Sequence, residues 1–407
     1  MGRPPREYEM TRRTFLKRTV AVGAGGALMR WLPARAQPKS VLAYVGTYSD
    51  HGEGIYLFQV DSSSGRLTRL RVFPSKVSPS WIAFGPGNRF LYSANEISTF
   101  GGRPTGSVTA YAVGTNGDLG ALNTVSSGGT GPAHLSVDPQ GKYVFVANYG
   151  GGTVAVVPVR ADGSIGEPTQ TINDVDACSP PCKVGPGRAA KAPEGNFAIS
   201  GHDAAHAHMI LTDPKGEFVI ANDLGLDRTI VWKLDRASSR LLNPQPVESS
   251  AGAGPRHFVF HPNGRWFYSL NEQASTVAFM TYENGRLKPM SEVSTLPPGF
   301  RGTNFSSELL ISPSGNVLYA GNRLHNTIAI LRVGSDGEPT YVGEEWTRGD
   351  YPRSFNLDPS GRFLYCCNHR GDSITVFAVR RDGLELAFTG EYVGLGSPAC
   401  IIFRTQP

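Results

Sequence analysis

Residues 254–272 read GPRHFVFHPNGRWFYSLNE, and this stretch decides the fold because its pattern recurs along the chain. An apolar run is followed by a Pro-x-Gly turn, a second apolar run and a polar stop at Asn271. The runs are β-branched and aromatic, whereas a helical repeat would need apolar residues spaced three and four apart. Each copy therefore predicts a β-hairpin. The other complete copies lie at 79–95, 132–148, 206–222, 306–322 and 352–368.

A seventh copy is divided between the two ends of the chain. Residues 398–403 supply its first run, and residues 41–47 supply its second. Each unit also contains a further strand before a tight turn, as in 108–113 before Asn116-Gly117. Repeats of about 40–50 residues with about four strands each indicate propeller blades. We therefore predict an all-β fold over residues 40–407, a seven-bladed β-propeller of four-stranded blades. Pairing of the N- and C-terminal strands in one blade closes the ring.

One interval between repeats is longer than the others. The segment from about 160 to 205 is rich in Gly, Pro and Ala and is predicted to be an extended loop on one blade. Cys178 and Cys182 lie close together in it and could pair, whereas Cys366 and Cys400 resemble buried strand thiols.

Residues 1–36 have the pattern of an export leader. Residues 11–17 read TRRTFLK, a twin-arginine signature, and a weakly apolar stretch follows at 19–28. Ala34-Arg35-Ala36 then supplies a small-x-small cleavage site. The alternative is a disordered basic tail. We predict a twin-arginine signal peptide, the twin-arginine export machinery as a partner, and a periplasmic protein.

The leader also accounts for the basic character of the chain. It carries eight of the 39 Lys and Arg residues and two of the 34 Asp and Glu residues, which leaves 31 basic and 32 acidic residues. Nothing in this balance indicates nucleic acid or an anionic membrane as a partner. No run of 18 apolar residues occurs in the body of the chain, so we predict no stable membrane association.

The repeat brings polar side chains to one face of the predicted ring. The Pro-x-Gly turns lie at one face, here called the turn face, so the first strands begin and the second strands end at the other, the mouth face. The residues at the starts of the first strands include His134, His206, His208, Arg256, His257, Glu308 and Arg353. The residues at the ends of the second strands include Asn148-Tyr149, Asn222-Asp223, Asn271-Glu272, Asn322-Arg323 and Asn368-His369. The turn face carries ordinary turn residues. We therefore predict that the chemistry lies at the mouth face.

Structural roles compete with functional ones at these positions. A repeated Asn at a strand end commonly hydrogen-bonds to backbone, and a buried Arg needs an anion, either a protein carboxylate or a ligand. His206-Ala207-His208 places two imidazoles on alternate residues, as a metal site would. No carboxylates cluster beside them in the sequence, and we predict neither a metal nor another cofactor. His261 lies in a turn and is interpreted as structural.

Several stretches of the mouth face resemble one known family. They are residues 252–272, Gly131–His134, His206–His208, Asp223–Arg228 and Tyr351–Arg353. The chain after Ala36 resembles the seven-bladed propeller lactonases, which include the bacterial propeller-type 6-phosphogluconolactonase and the fungal carboxymuconate cyclase. The resemblance implies metal-free ester hydrolysis of a sugar lactone, or lactone formation in the cyclase branch. It also implies that His134 and Arg256 belong to the polar cluster of the family.

We predict a lactonase that hydrolyses a sugar-acid lactone, a small molecule, at the mouth face. His134 or His206 would draw a proton from water, and Arg256 would stabilise the oxyanion. The predicted substrate-binding residues are His208, Asp223, His257, Glu272, Glu308, Arg323 and Arg353. Glu272 and Glu308 could each be a base, a hydroxyl acceptor or an ion-pair partner. An export leader makes a phosphorylated substrate doubtful. The alternatives are a muconate-type lactonising cyclase and a non-catalytic binding module.

Overall fold

The computed structural model describes residues 40–197 and 199–406. Within these residues the chain forms seven antiparallel sheets of four strands each. Helical structure in the same part of the chain is limited to three 3-10 helices, at Pro86–Asn88, Asp174–Ala177 and Arg381–Gly383. The predicted seven-bladed β-propeller is confirmed. The predicted leader at 1–36 lies outside the described residues.

The blades follow one another in chain order. Blade 1 contains β1 (Val41–Thr47), β2 (Gly54–Val60), β3 (Leu67–Pro74) and the last strand, β28 (Pro398–Thr405). Blade 2 contains β4 (Pro79–Phe84), β5 (Phe90–Asn95), β6 (Ser107–Val113) and β7 (Leu119–Ser126). Blade 3 contains β8 (Pro132–Val137), β9 (Tyr143–Asn148), β10 (Thr153–Pro158) and β11 (Gln170–Asn173). Blade 4 contains β12 (Ala207–Thr212), β13 (Phe218–Asp223), β14 (Arg228–Asp235) and β15 (Arg240–Glu248).

The remaining blades have the same order. Blade 5 contains β16 (Pro255–Phe260), β17 (Trp266–Asn271), β18 (Thr276–Glu283) and β19 (Arg286–Ser294). Blade 6 contains β20 (Ser306–Ile311), β21 (Val317–Asn322), β22 (Thr327–Val333) and β23 (Pro339–Trp346). Blade 7 contains β24 (Pro352–Leu357), β25 (Phe363–Asn368), β26 (Ser373–Arg380) and β27 (Glu385–Gly394).

Backbone hydrogen bonds close the ring in blade 1. Strand β28 pairs antiparallel with β1, from Val41 opposite Thr405 to Thr47 opposite Pro398. The last strand of the chain thus takes the position that the first strand of the repeat takes elsewhere. The ladder secures the seam that side-chain packing alone would leave open, as the divided repeat predicts.

Packing between neighbouring blades is also repeated. The core lies in layers between blades; the aromatic and aliphatic residues of β17 and β18 pack against those of β21 and β22, for example. A buried tyrosine in the second strand of five blades donates to a carbonyl of the next blade's outer turn. Tyr365 of blade 7, for instance, donates to the Gly65 carbonyl of blade 1 at 2.8 Å. The others are Tyr44, Tyr92, Tyr268 and Tyr319. These bonds fix each blade against its neighbour.

The segment predicted as a long loop, 160–205, contains β11 and the 3-10 helix Asp174–Ala177. A disulfide joins Cys178 to Cys182 beyond this helix, while Cys366, Cys367 and Cys400 are buried free thiols. Within the described residues, we find no helix of the length and apolarity needed to span a membrane.

Candidate active site at the mouth face

The first strand of each blade begins with the same irregularity. In blade 5, Pro255 lies opposite Asn271 and His257 opposite Leu270, so Arg256 is the extra residue of a β-bulge. The pairing shifts at the corresponding point in the other six blades. Bulges redirect side chains, and here they bring residues from different blades into contact around the axis. The predicted adjacency of first-strand starts and second-strand ends is confirmed by these registers.

Three imidazoles and an indole from four blades lie against one another. They are His134, His208, His257 and Trp81, here called the imidazole group. The His257 ring centroid is 5.1 Å from that of His208 and 5.7 Å from that of His134. Trp81 lies 4.5 Å from His134 and 5.3 Å from His257. Each histidine is less than 5% exposed, at 3% for His134, 4% for His208 and 2% for His257.

These imidazoles are held in their neutral form. Burial lowers the pKa of His134 and of His208 well below the ordinary value, and the nearby Arg256 lowers both further. Burial also lowers the pKa of His257, although its Glu308 partner opposes the shift. Neutral imidazoles have one nitrogen that can accept a proton, which a general base requires.

His257 has the contacts of an oriented base. Its Nδ1 lies 2.7 Å from Oε1 of Glu308, so Nδ1 carries the hydrogen that the carboxylate accepts. Its Nε2 is buried and has no hydrogen-bond partner among the described residues. A carboxylate that fixes the tautomer of an imidazole leaves the other nitrogen free to accept a proton.

The two histidines that the sequence analysis puts first as bases have different contacts. Nδ1 of His134 accepts a 3.4 Å hydrogen bond from the Ile210 backbone N–H, which favours a hydrogen on Nε2. His206 contacts acceptors with both nitrogens, the Tyr149 carbonyl at 2.8 Å and Asp203 at 2.9 Å. His206 joins the imidazole group through Tyr149, whose ring stacks on it at 4.3 Å and meets His208 at 5.5 Å.

Two arginines share one carboxylate beside the imidazole group. Nε of Arg256 and Nη2 of Arg323 lie 3.0 Å and 2.5 Å from the same Oε2 of Glu272. Arg256 is 1% exposed and also donates to the Ser307 carbonyl. Burial and the nearby Arg323 and Arg353 lower the pKa of Arg256 to about 10, so the guanidinium stays charged at neutral pH. One carboxylate for two guanidiniums leaves a net positive charge here.

A third arginine, Arg353, contacts one residue that follows β1 of blade 1 and one that follows β5 of blade 2. The guanidinium of Arg353 lies over the Tyr48 ring, 5.0 Å from its centroid, and 3.6 Å from Glu96. Glu96 also accepts from the Tyr48 and Ser80 hydroxyls at 2.7 Å and 2.6 Å. The signal for Glu96 was present, because it follows Asn95 as Glu272 follows Asn271.

Asp223 bonds to backbone groups on either side of it and interacts with a second carboxyl, that of Asp174. Its Oδ1 accepts from the backbone N–H groups of His206 and Leu226, both at 2.9 Å. Asp223 and Asp174 are both fully buried. Burial raises the pKa of Asp223 and raises that of Asp174 well above its ordinary value, with Asp223 adding to the latter shift. These contacts join blade 4 to the segment before it.

The repeated asparagines hydrogen-bond within the protein. Asn148 donates to the Ser127 carbonyl, Asn271 to the Thr276 hydroxyl and Asn368 to the Thr375 hydroxyl. Residues 40–197 and 199–406 contain no group of three or more His, Cys, Asp or Glu side chains placed to hold a metal ion. A groove of about 790 Å³ lies between blades 4 and 5 on the turn face, lined by residues such as Lys215, Arg265 and Asn284. This groove contains none of the mouth-face residues described above.

The fold and the mouth define a seven-bladed propeller with buried neutral imidazoles and charged arginines at its axis. The family model described as "Lactonase, 7-bladed beta-propeller" matches residues 42–403. A 6-phosphogluconolactonase of Bacillus subtilis (strain 168) is 30% identical over 371 residues, covering 90% of this chain and 99% of the relative. A 6-phosphogluconolactonase of Formosa agariphila is 30% identical over 349 residues, covering 83% and 92%.

Solved structures agree with this assignment. The periplasmic gluconolactonase PpgL of Pseudomonas aeruginosa has a TM-score of 0.80 and 29% identity, covering 90% of this chain and 100% of that one. A putative 6-phosphogluconolactonase from Bacteroides fragilis has a TM-score of 0.79 and 26% identity, covering 91% and 99%. The chain belongs to the seven-bladed β-propeller lactonase family and is a lactone-hydrolysing enzyme.

Proposed function

We propose that this enzyme hydrolyses a sugar-acid lactone at the mouth face, with His257 as general base and Glu308 orienting it. The pairing of His257 Nδ1 with Glu308 at 2.7 Å, with Nε2 left free among the described residues, is the observation that carries the proposal. The names of the similar proteins, 6-phosphogluconolactonase and gluconolactonase, support a sugar-acid lactone as the substrate class.

The reaction follows from these groups. His257 Nε2 takes a proton from water as the water oxygen bonds to the lactone carbonyl carbon. The resulting oxyanion is stabilised by Arg256 and by the Nε2–H of His134, a contribution of about 3 kcal/mol for a well-aimed donor. Collapse of the tetrahedral intermediate breaks the ring C–O bond, and the proton on His257 passes to the leaving alkoxide. The product is an open-chain hydroxy acid.

The other mouth residues bind and position the substrate in this proposal. Arg323 and Arg353 attract the developing carboxylate, while Glu272 and His208 accept or donate hydrogen bonds to sugar hydroxyls. Trp81 offers an apolar ring face beside His134. His206 and Asp223, whose contacts are within the protein, support the wall of the site from blade 4. No metal or other cofactor takes part.

We also propose that the enzyme acts in the periplasm on an unphosphorylated lactone. The twin-arginine motif at residues 11–17 supports export. The similarity to a periplasmic gluconolactonase and the disulfide between Cys178 and Cys182 agree with it, since disulfides persist in oxidising compartments.

A panel of aldonolactones with and without a 6-phosphate, assayed with and without EDTA, tests the proposal. We expect EDTA-resistant hydrolysis, fastest with unphosphorylated rings. His257→Gln should lower kcat roughly 100- to 10,000-fold, since it removes the base. His261→Gln on the turn face is the matched control and should keep wild-type turnover. Full activity of His257→Gln would refute the assignment of the base, and a wild-type enzyme inactive on the whole panel would refute the substrate class.

A further inference from the structure

The segment formed by residues 183–197 and 199–205 crosses the mouth face of three blades and is here called the strap. Backbone hydrogen bonds tie Gly185 to Gly225 of blade 4 at 2.8 Å and Ala190 to Ala251 before blade 5 at 2.9 Å. Further on, Glu194 accepts from the Gly302 N–H before blade 6 at 2.8 Å.

The strap is also joined to blade 5 by side-chain contacts. The Ser200 N–H donates at 2.7 Å to Gln273, the residue after Glu272. Lys191 forms an ion pair of 2.6 Å with Glu292 on the outer strand of blade 5. The strap is therefore bonded to the residue that follows Glu272, the carboxylate that pairs with Arg256 and Arg323.

A buried histidine of the strap lies between two acceptors. The side chain of His202 is 0% exposed, with Nδ1 2.7 Å from the Ser200 carbonyl and Nε2 3.0 Å from Oδ1 of Asp227. Each nitrogen must carry a hydrogen to donate to both acceptors, so this geometry requires the imidazolium. A buried imidazolium is stable only with such a paired carboxylate.

The carboxylate of this pair also holds the entrance to the first strand of blade 5. Asp227 accepts from the backbone N–H groups of Gly252 at 2.6 Å and Gly254 at 2.8 Å. These two glycines have φ of +69° and +67°, a conformation that other residues adopt only with strain. The chain passes from Gly254 through Pro255 into Arg256 and His257. One carboxylate thus joins the strap to the turn that precedes the proposed base and its neighbouring arginine.

Several charged groups act on His202. Burial favours the neutral ring, whereas Asp227, the Ser200 carbonyl and Glu272 of blade 5 favour the charged ring, and the pKa of His202 is raised. Asp203, its neighbour on the strap, also interacts with it. A histidine with a raised pKa contributes stability that is complete below the unfolded value of about 6.5 and is lost as pH rises through the folded value.

We propose that His202 is a positioning residue, which as an imidazolium bridges the strap to Asp227 and so holds Arg256 and His257 in place for the reaction. This inference rests on the proposed function at the mouth face. As pH rises through the folded pKa of His202, the ring loses one of its two donated hydrogen bonds, which loosens the strap and the turn at 252–254. The enzyme therefore has an alkaline limit to its activity that arises outside the imidazole group.

The first test compares the pH dependence of kcat and KM for the wild type and His202→Gln. We expect His202→Gln to lower kcat roughly 10- to 100-fold near neutral pH, the effect of a small misplacement, and to remove the part of the alkaline limb that lies below the pKa of Arg256, which is about 10. His325→Gln is the matched control, because His325 also pairs with a carboxylate, Glu344 at 2.8 Å, on another blade. It should retain the wild-type profile. An unchanged kcat and an alkaline limb retained in His202→Gln would overturn the inference.

The second test does not depend on activity. Lys183 and Arg188 are exposed on the strap, so limited trypsin digestion reports its attachment. We expect faster cleavage there in His202→Gln at neutral pH, and in the wild type only at alkaline pH. If His202→Gln does not fold, Asp227→Asn serves instead, because its amide keeps the size of the side chain. Cleavage that is independent of both pH and substitution would refute the role of His202 in holding the strap, even if lactone hydrolysis is established. If the enzyme is inactive on every lactone tested, the digestion still measures the attachment of the strap.

Discussion

The two faces of the ring differ in how a position that repeats in every blade is used. On the turn face, the residue before each turn proline makes the same bond in successive blades, such as Asp138 N–H to Tyr143 O and Asp358 N–H to Phe363 O, both at 2.9 Å. On the mouth face, the bulge position that is Arg256 in blade 5 is Ala133, His208, Ser307 or Arg353 in others. Where the contact repeats, the residue holds a hairpin. Where the residue type diverges on a repeated backbone, it is available for chemistry.

The largest effect should come from exchanging an arginine on each face. We expect Arg256→Ala to lower kcat/KM for the lactone roughly 100- to 1,000-fold, because it removes the proposed oxyanion donor. Arg236→Ala should leave kcat/KM unchanged. It should lower the free energy of unfolding by about 1–3 kcal/mol, because it leaves the buried Asp138 carboxylate without its guanidinium partner. Arg236 donates to both oxygens of Asp138, at 3.0 Å and 2.7 Å.

The measurements are steady-state kinetics on one aldonolactone and urea denaturation of both variants. Loss of activity in Arg236→Ala equal to that in Arg256→Ala would abolish the distinction between the faces. The same conclusion would follow if Arg256→Ala kept its activity and lost only stability.

The sequence was sufficient for the ring and for the face that carries the polar groups. The register of residues 254–272 follows from its turn and its apolar runs, and the observed pairing of Pro255 with Asn271 agrees with it. The divided repeat likewise predicted the pairing of β28 with β1. These features depend on local turn chemistry and period, which a single sequence displays.

Contacts across the axis could not be derived in the same way. The repeat placed His257 in the mouth, but only the bulge and the ring diameter bring it to Trp81 of blade 2 and Glu308 of blade 6. His134 and His206 have the same sequence signal as His257, and only their hydrogen bonds distinguish them. His202 lies outside the repeats, so no period indicated its partner Asp227. A repeat pattern does not show which imidazole nitrogen lacks a hydrogen-bond partner, so it cannot predict which histidine is the base.

A smaller effect should follow from loosening the ring on the turn face. Tyr365→Phe leaves the Gly65 carbonyl of blade 1 without its buried donor and should lower the free energy of unfolding by about 1–2 kcal/mol. The proposed active site lies at the other face, so kcat should not change. Calorimetry and the lactone assay measure the two quantities. Tyr392→Phe is the control, because Tyr392 is 55% exposed and its hydroxyl bond to Gly371 is long, at 3.3 Å. A drop in kcat with Tyr365→Phe would show that the faces are coupled.

The smallest effect should come from Asp174 and Asp223, a pair of carboxyl groups that we expect to stabilise the fold without taking part in the reaction. Burial and Asp223 raise the pKa of Asp174, so the folded protein holds this proton more tightly than the unfolded chain does. Stability should therefore be complete below the ordinary aspartate pKa of about 3.9 and decline as pH rises through the folded value. Asp174→Asn keeps a hydrogen for Asp223 at every pH and should raise stability at pH 7 by about 1 kcal/mol, with kcat unchanged.

Thermal melts at several pH values measure this gain against Asp176→Asn, an exposed neighbour on the same 3-10 helix. The gain should grow with pH in Asp174→Asn and be absent in the control. A fall in Tm with a loss of turnover would instead place Asp223 among the substrate-binding residues, as the sequence predicted. Divergence of the residue type on a repeated backbone is therefore not sufficient for chemistry at the mouth face, since Asp223 would diverge only to join two segments of the fold.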